Sequence, residues 1–542
     1  MIAPCCLAGH LLPVSREGQC RHLPSLDVAD HAATIGRKGT EPEIRVPVLY
    51  NEGMSRKIQR RRKPRRSVVI AAVAAGILLA VWLGFKVTEN GVFTVIDYSA
   101  NPKEIGTWKH YGFAAAKLNA LDPDTPACIE NESGKVVAIR SGVVDFSGKP
   151  VTENTLYTME NGEQGYLNGS YGVDGLYLGT SGDGREVKFQ MAGTTGWVDV
   201  QDVSLRFYSD TVRLSGYSRY QDSLVHQVST GLDGQEPLAY SIGSCPSFID
   251  PDVFYFSYDG HWFYKDFYTM SEAMRTGDGR AVNEEPWYNP WQFTPHRTLS
   301  SLTNADGNAA LAARGITRGV SPEDTWPLEA GQSVLFDAAD LFSKVQQEDW
   351  MNARMMFALA MNESGAGQSE YAVDRHNVFG HEAGDENPDA ASGYPDLLAC
   401  VQSHAWDWLQ KKYANPGNEV WHGSWFGDKG SGINVMYASD PYWGEKAASF
   451  LYRLGFEPPE LITRDGSEET PVYDRPGGSV VYVFAGPAML VKTGEARDGY
   501  LPVRSEAPLS EGKVDVEIPY EETDIVWIPE KWAAAADSAA ES

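Results

Sequence analysis

Asn362-Glu363-Ser364-Gly365-Ala366-Gly367-Gln368-Ser369, with Asn377-Val378-Phe379-Gly380 a short step later, is the stretch on which the reading of this chain turns. It follows directly on Met355-Met356-Phe357-Ala358-Leu359-Ala360-Met361, an apolar run that predicts a buried helix with Glu363 at its end. A carboxyl group at a dry helix face resists ionisation, because burial disfavours the charged form. An acid still protonated at neutral pH is suited to protonating a leaving oxygen. Gly365 and Gly367 predict a break in the helix. They also leave little side chain beside the acid, so a bulky polymer has room there. Ser369 is placed to cap a short following helix.

Further segments follow in a fixed order: Gly393-Tyr394, His404-Ala405, Gly427-Asp428-Lys429-Gly430-Ser431-Gly432-Ile433-Asn434-Val435, and Tyr437-Ala438-Ser439-Asp440-Pro441-Tyr442-Trp443-Gly444. Together with Glu-Ser-Gly-x-Gly-x-Ser and Asn-Val-Phe-Gly they resemble the glucosaminidase-type peptidoglycan hydrolases, over 335–456. The resemblance implies a lysozyme-like catalytic domain that cleaves a GlcNAc–MurNAc bond in peptidoglycan glycan strands. It makes Glu363 the general acid, adds Asp385 and Tyr437 as catalytic candidates, and puts Asn377, Phe379, Asp440, Tyr442 and Trp443 along the sugar groove. It calls for no cofactor and no metal.

After protonation of the leaving oxygen three routes stay open. A second carboxylate activates water, a carboxylate attacks directly, or the acetamido oxygen of the substrate attacks. Glu382, Asp385, Glu386 and Asp389 are the carboxylates available just after Asn377-Val378-Phe379-Gly380. Asp385 best matches the family's acidic position in Phe-Gly-x-x-Ala-x-Asp, although Gly384 stands where relatives often have Tyr. Asp440 before Pro441 also reads as a helix cap. His376 stands where relatives often have Asn, and His404 reads as structural. Two rival functions are a lytic transglycosylase and a non-catalytic wall-binding scaffold.

Composition narrows the partners. The net charge is −27, and residues 1–66 hold 13 Lys/Arg against 6 Asp/Glu, which leaves −34 on the remainder. Such an acidic body excludes nucleic acid, whose phosphates need a basic surface. The 15 Trp, 26 Tyr and 20 Phe exceed what one core needs, so some are available to pack on sugar rings. Cys5, Cys6 and Cys20 precede the longest apolar run, and Cys128, Cys245 and Cys400 follow it; they show no metal-ligand spacing and read as small buried thiols.

That apolar run, Val68 to Phe85, has 18 residues, and eight Lys/Arg lie between Met54 and Arg66. The pattern predicts a signal-anchor helix over 67–86, with the cell membrane as partner and the body outside. Cleavage and release to the wall is the alternative. Met54 reads as a normal protein start, with 1–53 upstream of it. The expected fold class is multidomain α+β: a mainly α-helical lysozyme-like catalytic domain over 335–456, flanked by small β-rich SH3-like barrels, with an N-terminal transmembrane helix. The barrels are placed at 151–210 and 467–530. A small α+β module is expected at 91–150, a β-rich connection at 211–334, and disordered ends at 1–66 and 531–542.

Overall fold

The computed structural model describes residues 90–277, 279–382 and 391–532. Strands β1 (Phe93–Asp97), β2 (Lys103–Trp108), β3 (Ala127–Asn131) and β4 (Val136–Ile139) form an antiparallel sheet in the order β2-β1-β3-β4. The helix Tyr111–Asn119 packs on it through Tyr111, Ala114 and Leu118. The β3–β4 turn is held by the Asn131 side chain, whose Oδ1 accepts from the amides of Ser133 and Lys135.

A second sheet has seven strands in the order β11-β5-β8-β9-β10-β6-β7. These are β5 (Gly142–Asp145), β6 (Thr155–Met159), β7 (Gln164–Leu167), β8 (Asp174–Thr180), β9 (Glu186–Met191), β10 (Thr194–Asp199) and β11 (Ser204–Phe207). Between β9 and β10 the chain reverses through Ala192 and Gly193, at φ 46° and 80°. Two successive left-handed residues match the twist of the flanking strands. A third sheet, order β14-β13-β12-β15, is built from β12 (Gly216–Tyr220), β13 (Ser223–Val228), β14 (Leu238–Ser244) and β15 (Phe254–Tyr255). The aromatic stretch 254–264 closes on Asp259-Gly260: Phe256 and Tyr264 exchange backbone hydrogen bonds, and Asp259 Oδ1 accepts from the amides of His261 and Trp262.

Residues 339–453 contribute helices only. The one that matters most, Ala353–Glu363, opens on Asn352, whose Oδ1 accepts from the Met355 amide at 3.1 Å. Every residue from Met355 to Met361 in it is buried. At roughly 1.5–3 kcal/mol for each large apolar side chain taken out of water, this helix is fixed by its surroundings rather than by propensity. Leu397–Ser403 continues into π-helical winding over His404–Tyr413. The last long helix is Trp443–Arg453. After it come β16 (Leu461–Arg464), β17 (Thr470–Tyr473), β18 (Val480–Phe484), β19 (Ala488–Val491), β20 (Tyr500–Arg504), β21 (Leu509–Ser510), β22 (Lys513–Val514) and β23 (Ile525–Pro529). They give a four-stranded sheet, β18-β17-β23-β20, and the pairs β16–β19 and β21–β22.

The expected fold class needs correction. The described chain is β-rich, not mainly helical: strands build it on both sides of 339–453, and the helices run only 4 to 11 residues. Glycine-rich turns such as 365–367 and 427–432 separate the helices, so part of that stretch is turn. The upstream module is a seven-stranded sheet that starts at Gly142, larger than the small barrel placed at 151–210. Neither it nor the C-terminal sheets give support to an SH3-like assignment. No helix among the described residues is long and apolar enough to cross a membrane. The run Val68–Phe85 and the segment 1–53 lie outside the described residues.

The sheets do not merely flank the helices. Glu445, buried in the first turn of Trp443–Arg453, accepts from Tyr217 at 2.8 Å and Tyr240 at 3.3 Å, and its Oε2 lies 2.6 Å from His226 Nδ1. Those three residues stand on β12, β14 and β13 respectively. Burial pushes the Glu445 carboxyl up, but the charge and hydrogen bond of His226, with the two tyrosines, hold it below its ordinary range. A carboxyl depressed in the folded state stabilises the fold above its unfolded value near 4.5, and that contribution disappears as pH falls through the folded value. Glu445→Ala is therefore expected to cost about 3–5 kcal/mol near pH 7. Thermal unfolding at pH 7 and pH 3.5 checks this: the deficit shrinks at the lower pH, and equal deficits at both would refute the charged pairing.

Candidate active site

Glu363 is the last residue of its helix, where the carbonyl ends already disfavour a negative charge. The chain then turns sharply. Gly365, Ala366 and Gly367 take φ of 58°, 60° and 77°. The Ser364 hydroxyl donates to the Ala360 carbonyl and accepts from the Gly367 amide. A Cβ on Gly367 would lie 2.4 Å from Ser333 Oγ, so only glycine fits. Ser369 then caps Glu370–Arg375, accepting from the Ala372 amide.

Three elements converge on the carboxyl group. The Trp443 indole N–H donates to Glu363 Oε1, and Asn362 Nδ2 donates to the same oxygen at 3.2 Å. Gly380, at φ 66°, stands so close that a Cβ there would lie 3.6 Å from Glu363 Oε2. The Tyr437 hydroxyl donates to the Phe379 carbonyl at 2.7 Å, and its ring lies against Trp443 at 4.9 Å between centroids. The residue keeps partial exposure, yet enough protein encloses its carboxyl that burial dominates. Burial pushes Glu363 from 4.5 up to about 7; Trp443 and Asn362 pull it down, Asp440 pushes it up, and Lys446 offsets Asp440.

The other residues of interest fall in three places. Asp440 pairs with Lys446 and accepts from the Tyr442 amide at 2.9 Å, next to the start of the Trp443–Arg453 helix. Asn377 is buried and works on backbone: its Nδ2 donates to the carbonyls of His381 and Ser392, and its Oδ1 accepts from the His381 amide. The Phe379 ring is buried and stacked on His404 at 3.7 Å. Tyr442 does not join Glu363. It is buried in the β-sheet core, edge-on to His226 at 4.8 Å. Glu382 is exposed and accepts from Ser392 Oγ at 2.6 Å. Asp385, Glu386 and Asp389 lie outside the described residues. No group of three or more His, Cys, Asp or Glu among the described residues is arranged to hold a metal ion.

Sequence reading missed the residues that hold Tyr437 in place. The buried Lys429 ammonium donates to the carbonyls of Asn434, Val435 and Ala438. Tyr166, just after the start of β7, donates to the Met436 carbonyl at 3.1 Å, and the Asn168 amide donates to Ser439 at 2.8 Å. Burial lowers Lys429 to about 7, with Asp440 and Asp428 opposing. The only hint available was a lysine set among glycines in one of the segments that carry the resemblance.

Comparison with known proteins places this geometry in a class. Residues 339–455 match the Glucosaminidase family model, described as mannosyl-glycoprotein endo-beta-N-acetylglucosaminidase. The segment is a glucosaminidase-type domain, of the glycoside hydrolase class. Two curated proteins of Streptococcus pneumoniae, each described as "Putative endo-beta-N-acetylglucosaminidase", are 34% identical over 128 residues. The match spans 23% of this chain and 18% and 17% of theirs, so the chain covers under a fifth of either relative. Two crystal structures of Staphylococcus aureus autolysin E, one a catalytic mutant with the disaccharide NAG-NAM, align with 15% and 17% identity. They cover 30% and 31% of this chain and 71% of theirs at a TM-score of 0.21, too weak a likeness to bear on the fold.

The raised Glu363 carboxyl makes a stability prediction that needs no substrate. The folded chain binds this proton more tightly than the unfolded one, so its stability falls as pH rises from 4.5 towards about 7. Glu363→Gln keeps an acceptor for Trp443 and has no charge to bury. It is expected to unfold ~2 °C or more above the native chain at pH 8 and level with it at pH 4, measured by scanning fluorimetry. An unchanged difference across that range would contradict a raised acid.

Proposed function

We propose that this protein is a peptidoglycan hydrolase that cleaves the bond between GlcNAc and MurNAc, with Glu363 as its general acid. The observation that carries the reading is one carboxyl group, lifted by burial to about 7 so that a large share keeps its proton at neutral pH, beside a glycine turn and with partial exposure. The proton goes to the glycosidic oxygen as the C–O bond breaks, and positive charge develops on the sugar ring. The buried Trp443 donates to the carboxyl, and the half-buried Tyr437 ring beside it is an aromatic face on which the sugar can pack. Asp440 is a described carboxylate whose charge acts on Glu363, and the same charge would stabilise the developing cation. Water, a carboxylate or the substrate's acetamido oxygen then completes the reaction. Asp385 keeps its place as a candidate for that step. The matched family segment and the two pneumococcal relatives support the substrate class.

Digestion of purified peptidoglycan by the full chain, with mass spectrometry of the fragments, tests the reading. Products with reducing-end GlcNAc are expected, and Glu363→Gln should lose about 10²- to 10⁴-fold in rate. Anhydro-MurNAc ends would instead make it a lytic transglycosylase. Wall retention without products from either protein would make it a scaffold.

The pH profile gives a second test. A general acid acts in its protonated form, so kcat is expected to fall as pH rises through about 7. Trp443→Phe removes a donor that favours the carboxylate, and should move this limb about one pH unit higher. A limb that stays in place would detach it from Glu363.

A further inference from the structure

Beside the acid lies a buried polar pair that the proposed reaction does not use. His381 Nε2 and His404 Nδ1 stand 3.0 Å apart, and His381 Nδ1 lies 2.7 Å from the Tyr394 hydroxyl. Both residues are buried. His404 is sandwiched against the Phe379 ring at 3.7 Å and 7°, and His381 against Trp408 at 4.5 Å and 4°. His404 Nε2 is buried with no hydrogen-bond partner. A hydrogen bond between two imidazole nitrogens needs one proton, donated from either side. A second proton sets N–H against N–H, and a cation in this stack has no carboxylate in contact among the described residues.

The pair reaches the site through two adjacent residues, Phe379 and Gly380. His381 follows Gly380, which stands against Glu363, and His404 carries the Phe379 ring, whose carbonyl holds Tyr437. We infer that His381 and His404 share a single proton and act as an uncharged positioning pair, holding the Phe379–Gly380 turn against Glu363 without placing a cation beside it. The inference rests on Glu363 as the acid that the site uses. A cation next to that carboxyl would favour its charged form and lower its pKa. Two described groups oppose a further positive charge on the pair: Lys412, 4.0 Å above the Trp408 ring, and His296 towards His404. The half-buried Tyr394 and the buried Cys400 are neutral groups, both raised by burial. His376 is turned to the Tyr394 carbonyl and Glu382 to Ser392. Burial also pushes His381 down to about 3 and His404 well below the ordinary imidazole range.

The test reads Glu363 itself and needs no turnover. Carboxyl ¹³C signals of the full chain are followed against pH, with Glu363 identified by its loss in Glu363→Gln. His404→Phe keeps a ring on Phe379 and leaves His381 buried beside Lys412, so it should leave the Glu363 midpoint in place. His404→Lys puts a cation where the imidazole stands and should lower that midpoint by about one pH unit. A midpoint that falls in His404→Phe, or does not move in His404→Lys, overturns the inference. Imidazole ¹⁵N signals of the native chain cover the case of a variant that does not fold: either ring titrating between pH 5 and 7 overturns it equally. If these titrations behave as expected but the full chain releases no wall fragments, the hydrolase reading fails and the pairing stands.

Discussion

A buried carboxylate must be paired, and Glu445 is the one whose pairing shapes this molecule. Its partners are Tyr217, His226 and Tyr240, one on each of three neighbouring strands. None of the four can be placed without the other three, since an unpaired charge at that depth costs several kcal/mol. The carboxylate therefore fixes where the Trp443–Arg453 helix begins relative to the sheet. Trp443 is the first residue of that helix, and its indole is the donor to Glu363. The acid's hydrogen bond is thus set by strands far upstream in the chain. Tyr166 and Asn168 do the same for the segment that presents Tyr437.

Two glutamates separated by this one helix turn are driven in opposite directions. Glu445 has a histidine and two hydroxyls that stabilise its charge, and it stays ionised. Glu363 has an indole, an amide and a distant Lys446 that Asp440 offsets, so burial wins and the proton stays on. Pushing like groups apart by surroundings is how a site obtains an acid at neutral pH. A raised carboxyl is not enough by itself. Glu506 is also lifted to about 7 by burial, against donors from Ser424 and Trp421. It is sealed where the C-terminal strands meet residues 421–425 and has no open side. Glu363 differs because Gly365 and Gly380 leave space beside it, and that space is what makes a buried acid reachable.

Much of the acid's immediate setting was legible in the sequence. The apolar run ending at Glu363, the glycine break after it and the Ser369 cap are local features, and local features are written in spacing. Trp443 and Tyr437 came only through resemblance, because 80 and 74 residues separate them from the acid. The proportion of helix was misjudged, since the densest motifs all lie in 339–455 while the strands on either side carry weak, repeated Tyr, Val and Gly signals. Tyr442 illustrates the limit best. It stands between Asp440 and Trp443, both near the acid, yet its side chain points into the sheet core. Sequence neighbours in a sharp turn face opposite ways, and no spacing rule says which.

The position of the Glu445 partners bears on what the match to known proteins means. The shared segment, 339–455, contains Glu363, Tyr437 and Trp443. It also contains Glu445, but Tyr217, His226 and Tyr240 all lie before it, as do Tyr166 and Asn168. The matched segment therefore carries the acid and its donor but not the groups that hold the donor still. In this chain those groups come from the β-sheets, which makes the sheets part of the unit that holds Glu363 rather than passive neighbours. Any chain that keeps the segment and replaces the sheets must supply another neutralising cluster for the carboxylate at the start of the helix, or lose the geometry on which the acid depends.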